Sequence, residues 1–213
     1  MKQVPYVGNP DDSGCALACY TMVAQYLLPD LHITFEQMTE IADWKQSYAV
    51  WGFPVWKWLM DQGVYTIDYD TIDYEAWAKD GIEGLKRSCS PTEFEFYHKA
   101  TYSLELEGQR IKLIFSHPHF TYVRCKPTWQ DVINEFNEPG ICDLTLNSHA
   151  LNRRDGFSLH RVVLIDITDK EVVFHDPNKA ADGAYRRESL DHFRKVFESI
   201  DGPELARYSL EPI

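Results

Sequence analysis

Basic residues are scarce in this sequence. Its 213 residues include 21 Lys and Arg against 33 Asp and Glu, which gives a formal net charge of −12 at pH 7. No run of Lys or Arg is longer than two residues, whereas proteins that bind nucleic acids or anionic membranes usually carry a basic face. We therefore expect neither a nucleic acid nor a membrane as the partner.

Long apolar runs are absent as well. No stretch approaches the roughly 18 apolar residues that span a bilayer, and the opening residues MKQVPYVGNPDDSG lack the apolar segment of a signal peptide. Apolar residues make up 44% of the chain and aromatic residues 14%, enough for one sizeable core. These features predict a single globular domain, residues 1–213, in the cytoplasm; delivery as a secreted effector stays open.

The cysteines are too few and too scattered for a disulfide scaffold. There are five, at positions 15, 19, 89, 125 and 142, and an odd number in a chain of this size favours free thiols in a reducing compartment. Cys15 and Cys19 could share a helix face, but no Cys/His pair elsewhere completes a zinc site. His117 and His119 flank a proline and lack an acidic neighbour, so we expect no metal and no other cofactor.

Helical patterns dominate residues 1–107. Residues 15–27 carry apolar side chains at helical spacing, with Asp12 or Ser13 as the expected N-cap. Further helices are marked by their end signals: Thr34 with Gln37, Gly63, and Ser90 with Glu93. One short strand, VYTIDY, interrupts them.

Extended patterns dominate residues 108–213. The predicted strands are RIKLIFS, FTYVRC, ICDLTL, HRVVLIDI, EVVFHD and ARYSL, and the predicted helices are TWQDVINEF and RESLDHFRKVFESI. Helices before about residue 107 and antiparallel strands after it predict an α+β fold with a helical lobe and a sheet lobe.

The sequence contains one aromatic segment and one acidic segment, and each has an ordinary structural explanation. Trp51, Phe53, Trp56 and Trp58 form a cluster that we expect in the core rather than in a peptide groove. The acidic stretch 61–80 lacks the Gly and the terminal Glu of a calcium loop, so we expect it to form a solvated face.

Cys15 meets the requirements of a cysteine nucleophile. A catalytic thiolate needs a helix N-terminus and a nearby imidazolium, and Cys15 lies in the first turn of the first predicted helix. The free N–H groups of that turn can stabilise both a thiolate and a developing oxyanion. Cys19, one turn later, is expected to be an ordinary buried thiol.

His160 and Asp176 are predicted to become neighbours. His160 begins one strand and Asp176 ends the next, and a tight hairpin brings the two positions to within two or three residues. Asp176 would then orient the imidazole. His149 and His175 are alternative bases, but His175 alternates to the face opposite Asp176, and His149 lies in a polar loop that could form a rim over the site. Each residue alone also has an ordinary structural explanation.

Two segments carry a family resemblance: VPYVGN…GCALACYTMV and LHRVVLIDITDKEVVFHDPN. They resemble the opening and the His/Asp motifs of the papain-like cysteine peptidases that process double-glycine bacteriocin leaders, and of their stand-alone relatives. The resemblance implies a papain-like fold with the nucleophile helix packed on the sheet. It also implies Cys15 as nucleophile, His160 as general base and Asp176 as orienting acid.

The sequence departs from that family at two positions. Asn9 stands where the family has its oxyanion-hole Gln, and Ala16 where it favours Gly. Asn is also a donor but one methylene shorter, and Asn9 before Pro10 could equally be a loop cap. The family's transporter-linked members carry membrane helices and an ATPase after this domain, and we expect no fused transporter here.

The first hypothesis is a thiol hydrolase that cleaves a peptide or other amide through an acyl-enzyme on Cys15, with a peptide or protein as substrate. Acyl transfer or deamidation would use the same residues. The second hypothesis, motivated by Asn9 and Ala16, is a catalytically weak pseudo-peptidase that binds peptides or proteins.

Overall fold

The structure is a computed structural model that describes residues 1–10, 13–178 and 183–213. These residues form ten α-helices and one seven-stranded sheet, which confirms the α+β prediction. The expected N-cap Asp12 lies outside the described residues. None of the helices in the described part of the chain is both long and apolar enough to cross a membrane.

Most of the helices precede most of the strands along the chain. The helices are α1 (Cys15–Leu27), α2 (Phe35–Ile41), α3 (Phe53–Asp61), α4 (Tyr74–Asp80), α5 (Ile82–Ser88), α6 (Pro91–Ala100), α7 (Leu104–Phe115), α8 (Trp129–Asn137), α9 (Ser148–Leu151) and α10 (Leu190–Glu198). The strands are β1 (Tyr65–Asp70), β2 (Phe120–Arg124), β3 (Ile141–Asn147), β4 (Leu159–Ile167), β5 (Glu171–His175), β6 (Arg186–Ser189) and β7 (Leu205–Ser209).

The sheet is mixed rather than antiparallel. Its strand order is β2-β1-β7-β3-β4-β5-β6, and β1 pairs with β2 in parallel while the other pairs are antiparallel. The prediction of an antiparallel sheet was wrong for this pair, because α4 to α7 form a connection long enough for a parallel crossover. β1 also places a strand from the helical half of the chain in the interior of the sheet.

Both faces of the sheet are covered. Helices α1, α3 and α7 lie on one core, and α8 and α10 lie on the other. Along β4, Val163 and Ile165 belong to the first core, and Val162 and Leu164 to the second. Burial on both faces explains why this strand is almost continuously apolar in sequence.

The start of α1 differs from the prediction. Gly14 is the N-cap residue, and no side chain among the described residues caps the helix, so Ser13 does not have the predicted role. The helix ends at Leu27, before Pro29, as predicted. The predicted capping boxes of α2 and α6 are both present.

Two segments in the second half adopt a different structure from the predicted one. Residues 110–116, predicted as a strand, belong mostly to helix α7, which Ser103 caps and which continues through Gly108. Glycine is needed there because a Cβ would lie 2.8 Å from Nε1 of the buried Trp77. The start of the last predicted helix is strand β6, and α10 begins only at Leu190.

The structure confirms the prediction for the aromatic segment and contradicts it for the acidic segment. Phe53 and Trp56 are buried and Trp51 stacks on Phe53, which confirms core packing. The solvated face was wrong for Asp68 and Asp70, which are buried because β1 is an interior strand. Burial and the nearby Asp70 raise the pKa of Asp68 well above its ordinary value, and neither of its carboxyl oxygens has a hydrogen-bond partner among the described residues.

Gly108→Ala tests the close contact between α7 and α4. We expect the free energy of unfolding to fall by about 1–3 kcal/mol through overpacking, although Ala has the better helix propensity by about 1 kcal/mol. In a Trp77→Phe background the same substitution should be much less costly, because the indole nitrogen is gone. Urea unfolding of the four proteins measures this, and equal costs in both backgrounds would contradict it.

Candidate active site

The structure brings His160 and Asp176 together at one end of the sheet. His160 is the second residue of β4, and Asp176 directly follows β5. Nε2 of His160 lies 2.8 Å from Oδ1 of Asp176, and both side chains are buried. Because Nε2 is occupied by the carboxylate, Nδ1 is the nitrogen left for the hydrogen bond with Cys15, the first residue of α1.

A β-bulge in β4 sets this alignment. The pairing of β4 with β5 shifts between Leu164 and Asp166, and beyond the shift Val163 lies opposite His175. Asp176 is therefore level with Val162, whose side chain is on the same face as that of His160. Without the extra residue, Asp176 would be level with Val163, and the carboxylate would point to the other face.

Asp176 has two further partners that fix its carboxylate. The backbone N–H of Asn178 donates to Oδ1 at 3.0 Å, and Nη1 of Arg186 donates to Oδ2 at 2.6 Å. Arg186 also donates from Nη2 to Oδ1 of Asn152 at 2.9 Å. Burial raises the pKa of Asp176, but the hydrogen bond and charge of His160, with these donors, bring it below its ordinary value. Sequence reasoning missed Arg186, which directly precedes the predicted helix RESLDHFRKVFESI and was given no role.

The electrostatics favour a thiolate–imidazolium pair. Burial raises the pKa of the Cys15 thiol, but the hydrogen bond and charge of His160, with the N–H and charge of Arg161, lower it below its ordinary value. Burial lowers the pKa of His160, but hydrogen bonds with Asp176 and Cys15 raise it to about 9. Between these two pKa values the proton resides on the imidazole and the sulfur is anionic.

Cys15 differs from the other four cysteines of the chain. All five are free thiols, as the sequence predicted. Burial raises the pKa of Cys19, Cys89, Cys125 and Cys142, and Cys19 is completely buried one turn below Cys15. A lowered pKa is thus specific to the cysteine beside the histidine.

Asn9 connects the two halves of the site. Its backbone N–H donates to the carbonyl of Pro177 at 2.7 Å, next to Asp176. Its side-chain Oδ1 accepts from the N–H of Gly14 at 3.0 Å, next to Cys15. The amide oxygen therefore acts as a loop cap, while Asn9 and Cys15 also line a common cleft. The predicted donation from Nδ2 to an oxyanion stays a prediction.

The segment before Asn9 runs along β4 and β5. The N–H of Lys2 donates to the carbonyl of Ile165 at 3.0 Å, and the carbonyl of Val4 lies 2.9 Å from Nε2 of His175. The hydroxyl of Tyr6 donates to the carbonyl of Asp176 at 3.1 Å. Residues 1–9 thus form a strap along the strands that carry the His/Asp pair.

The two alternative bases, His175 and His149, lie in different surroundings. His175 is completely buried, and its two ring nitrogens are taken by the carbonyl of Val4 and the N–H of Tyr185. His149 lies on the wall of the cleft that contains Cys15, where its Nδ1 is 2.8 Å from the carbonyl of Asp155. The polar loop that carries His149 therefore forms a rim over the site, as predicted.

Two clefts meet at Cys15 and His160. The polar cleft, about 310 Å³, is lined by Asn9, Cys15, Ser148, His149, Asn152, Arg154, Ser158, Leu159, His160 and Asn178. The apolar cleft, about 240 Å³, is lined by Ser13, Cys15, Ala16, Tyr48, Ala49, Val50, Phe96, Thr145, Leu159, His160, Arg161 and Glu204. A chain crossing the cysteine would therefore meet two chemically different surfaces.

Arg161 anchors the strand directly after the histidine. Its buried guanidinium donates from Nη1 to Asp143 at 2.7 Å and from Nη2 to Glu204, and it lies over the Tyr20 ring of α1, 5.5 Å from the centroid. This residue ties β4 to β3 and to α1. It was not singled out from the sequence, because an Arg after a candidate His carries no signal.

Two further results bear on the site. In residues 1–10, 13–178 and 183–213, no group of three or more His, Cys, Asp and Glu side chains is placed to hold a metal ion. No protein-family model matches the chain, and no curated protein matches it. The function is therefore inferred from the geometry of this site.

The alkylation of Cys15 tests the ion pair. With iodoacetamide, the rate at Cys15 should reach half its maximum at a lower pH than that at Cys125, which is also partly exposed and whose pKa is raised by burial. His160→Ala should raise the pH midpoint of Cys15 alkylation. The alkylation rate of Cys15 near pH 6 should fall about tenfold for each unit by which the pKa of its thiol rises. Peptide mass spectrometry measures each cysteine. Identical Cys15 profiles in both proteins would contradict the pairing.

Asp176→Asn tests the orienting carboxylate. Asp176 raises the pKa of His160 and burial lowers it, so the variant should show a His160 pKa well below 9. An NMR titration of the imidazole protons measures this directly. Asp166→Asn is the matched control. Asp166 lies on β4, the strand that also carries His160, and its carboxylate is 3.7 Å from the amino group of Met1. A His160 pKa that responds equally to both changes would disprove the specific role.

Proposed function

We propose that this chain is a papain-like thiol hydrolase that cleaves a peptide or other amide bond. The single observation that carries the proposal is the placement of Cys15, at the start of a helix, in a hydrogen bond with a histidine that is itself hydrogen-bonded to a buried aspartate. Nucleophile, base and orienting acid in this order are the recurring arrangement of cysteine acyl-transfer enzymes. The resemblance of the two motifs to bacteriocin-leader peptidases supports the same chemistry.

The proposed reaction begins with attack of the Cys15 thiolate on the substrate carbonyl carbon. The carbonyl oxygen becomes an oxyanion, which the N–H of Cys15 and Nδ2 of Asn9 would stabilise. The N–H at the first position of α1 has no partner within the helix. Protonated His160 then gives its proton to the leaving amine as the C–N bond breaks. Water then gives a proton to His160 and attacks the thioester carbon; the C–S bond breaks, the carboxylic acid product leaves, and the thiolate–imidazolium pair is restored.

Asn9 is the residue of this mechanism that differs from the family pattern, which has Gln at this position. Its amide is already oriented, because Oδ1 accepts from Gly14, and this leaves the Nδ2 end as the donor. Loss of one oxyanion-hole donor typically costs about 10²–10³ in rate. A shorter donor at Asn9 therefore favours a slow enzyme over an inactive one.

A peptide digest tests the proposal. Wild-type protein, reduced with a thiol, is incubated with a proteome-derived peptide mixture, and products are identified by mass spectrometry. We expect new peptide ends that are absent with Cys15→Ala. Asn9→Asp keeps an oxygen for Gly14 but removes the donor, so product formation should fall about 10²–10³-fold. The alkylation of Cys15 in this variant reports any change in the thiolate itself.

Other outcomes of the digest separate the alternatives. Deamidated peptides would indicate a deamidase, and products joined to an added amine would indicate an acyltransferase. If neither the wild type nor Asn9→Gln forms any product that depends on Cys15, the hydrolase proposal is wrong, and a binding module with the same fold is the better explanation.

A further inference from the structure

The apolar cleft beside Cys15 is a formed surface. Its far wall carries Tyr48, Ala49 and Val50, and the N–H of Ala49 donates to the carbonyl of Ala100 at 2.7 Å, at the end of α6. The Tyr48 ring also lies edge-on to Tyr102, with centroids 5.5 Å apart. The wall is thus attached to the helix that supplies Phe96 to the same cleft.

Large apolar side chains are exposed around this cleft. Phe96 is 59% exposed, Leu159 46% and Tyr48 39%, and all three line it. Exposed apolar side chains that converge on one concave surface usually mark a binding site. Ala16, at the position where the family favours Gly, adds its methyl group to the same lining.

The charged groups in this cleft are already paired. Glu204 and Arg161 lie on its wall, and the Arg161 guanidinium donates to the Glu204 carboxylate. A charged substrate group would therefore compete with an existing ion pair, whereas an apolar group would not. The volume of about 240 Å³ is below the roughly 300–1,000 Å³ of clefts that take drug-sized ligands, which suits one large side chain.

From these observations we infer that the apolar cleft binds a large apolar side chain of the substrate, next to the bond that Cys15 attacks. The inference rests on the proposed hydrolase function and narrows its substrate class. It differs from the substrate that the family resemblance implies, since a double-glycine site offers no side chain to fill this space. Binding would bury apolar surface of Phe96, Leu159 and Tyr48.

Alkylating probes that differ only in the attached group test the inference. The rates for iodoacetamide, N-phenethyl iodoacetamide and N-(2-aminoethyl) iodoacetamide are measured at every cysteine by mass spectrometry. Relative to iodoacetamide, we expect the phenethyl probe to react about 10- to 100-fold faster at Cys15, from burial of one large apolar group. Cys125 in the same sample is the internal reference and should show no such preference.

Variants locate the preference in the cleft. Phe96→Ala removes part of the apolar wall, and Ala49→Phe fills the space, so both should remove most of the phenethyl preference while Cys15 still reacts with iodoacetamide. Both positions are solvent-exposed, and circular dichroism verifies folding. Leu113→Ala, which removes a side chain 57% exposed on α7 and outside the cleft, should leave the preference unchanged.

The outcomes separate this inference from the proposed function. If Cys15 reacts with iodoacetamide no faster than Cys125 near pH 6, the hydrolase proposal fails. If Cys15 is reactive but shows no phenethyl preference, or keeps it in both cleft variants, the inference is overturned and the hydrolase proposal stands. A preference for the aminoethyl probe would also overturn it, since Glu204 rather than the apolar wall would then select the substrate.

Discussion

The hydrogen bond between Nε2 of His160 and Oδ1 of Asp176 determines the chemistry of the whole site. It selects the nitrogen that faces Cys15 and stabilises the imidazolium, and the imidazolium in turn lowers the pKa of the thiol. The Asp176 carboxylate stays ionised although it is buried, because Arg186 and the N–H of Asn178 donate hydrogen bonds to it. A buried carboxylate without such donors would become protonated and lose its effect on the histidine.

Sequence reasoning singled out Cys15, His160 and Asp176, which the structure brings together, but not the contacts that align them. The apolar strand after His160 and the hairpin before Asp176 were enough to predict that these two residues become neighbours. The bulge at Leu164 to Asp166 leaves no mark in an apolar run, yet it decides which face the carboxylate occupies. Arg186 was missed because RESLDHF, which begins at the next residue, is a good helical pattern and hid strand β6, whose pairing with β5 outweighs helix propensity there.

The fold was predictable where local signals and packing agree. The capping boxes of α2 and α6, Gly63 after α3 and the strands β3 to β5 all depend on short-range patterns. RIKLIFS was assigned to a strand because Gly108 resembles a break, whereas the small residue admits Trp77 from another helix. Asp68 and Asp70 looked like surface residues because polarity alone does not show that β1 lies between β2 and β7.

The strap of residues 1–9 has a consequence for heat sensitivity. Asn9 holds Pro177 on one side and Gly14 on the other, so one short segment links the loop next to Asp176 to the start of α1. Segments held by few hydrogen bonds open at a lower free energy than the sheet beneath them. Opening of the strap would break this link and take Val4 out of the first core, while the other residues of both cores stay folded. The proposed activity would then be lost at a temperature below the melting temperature of the domain.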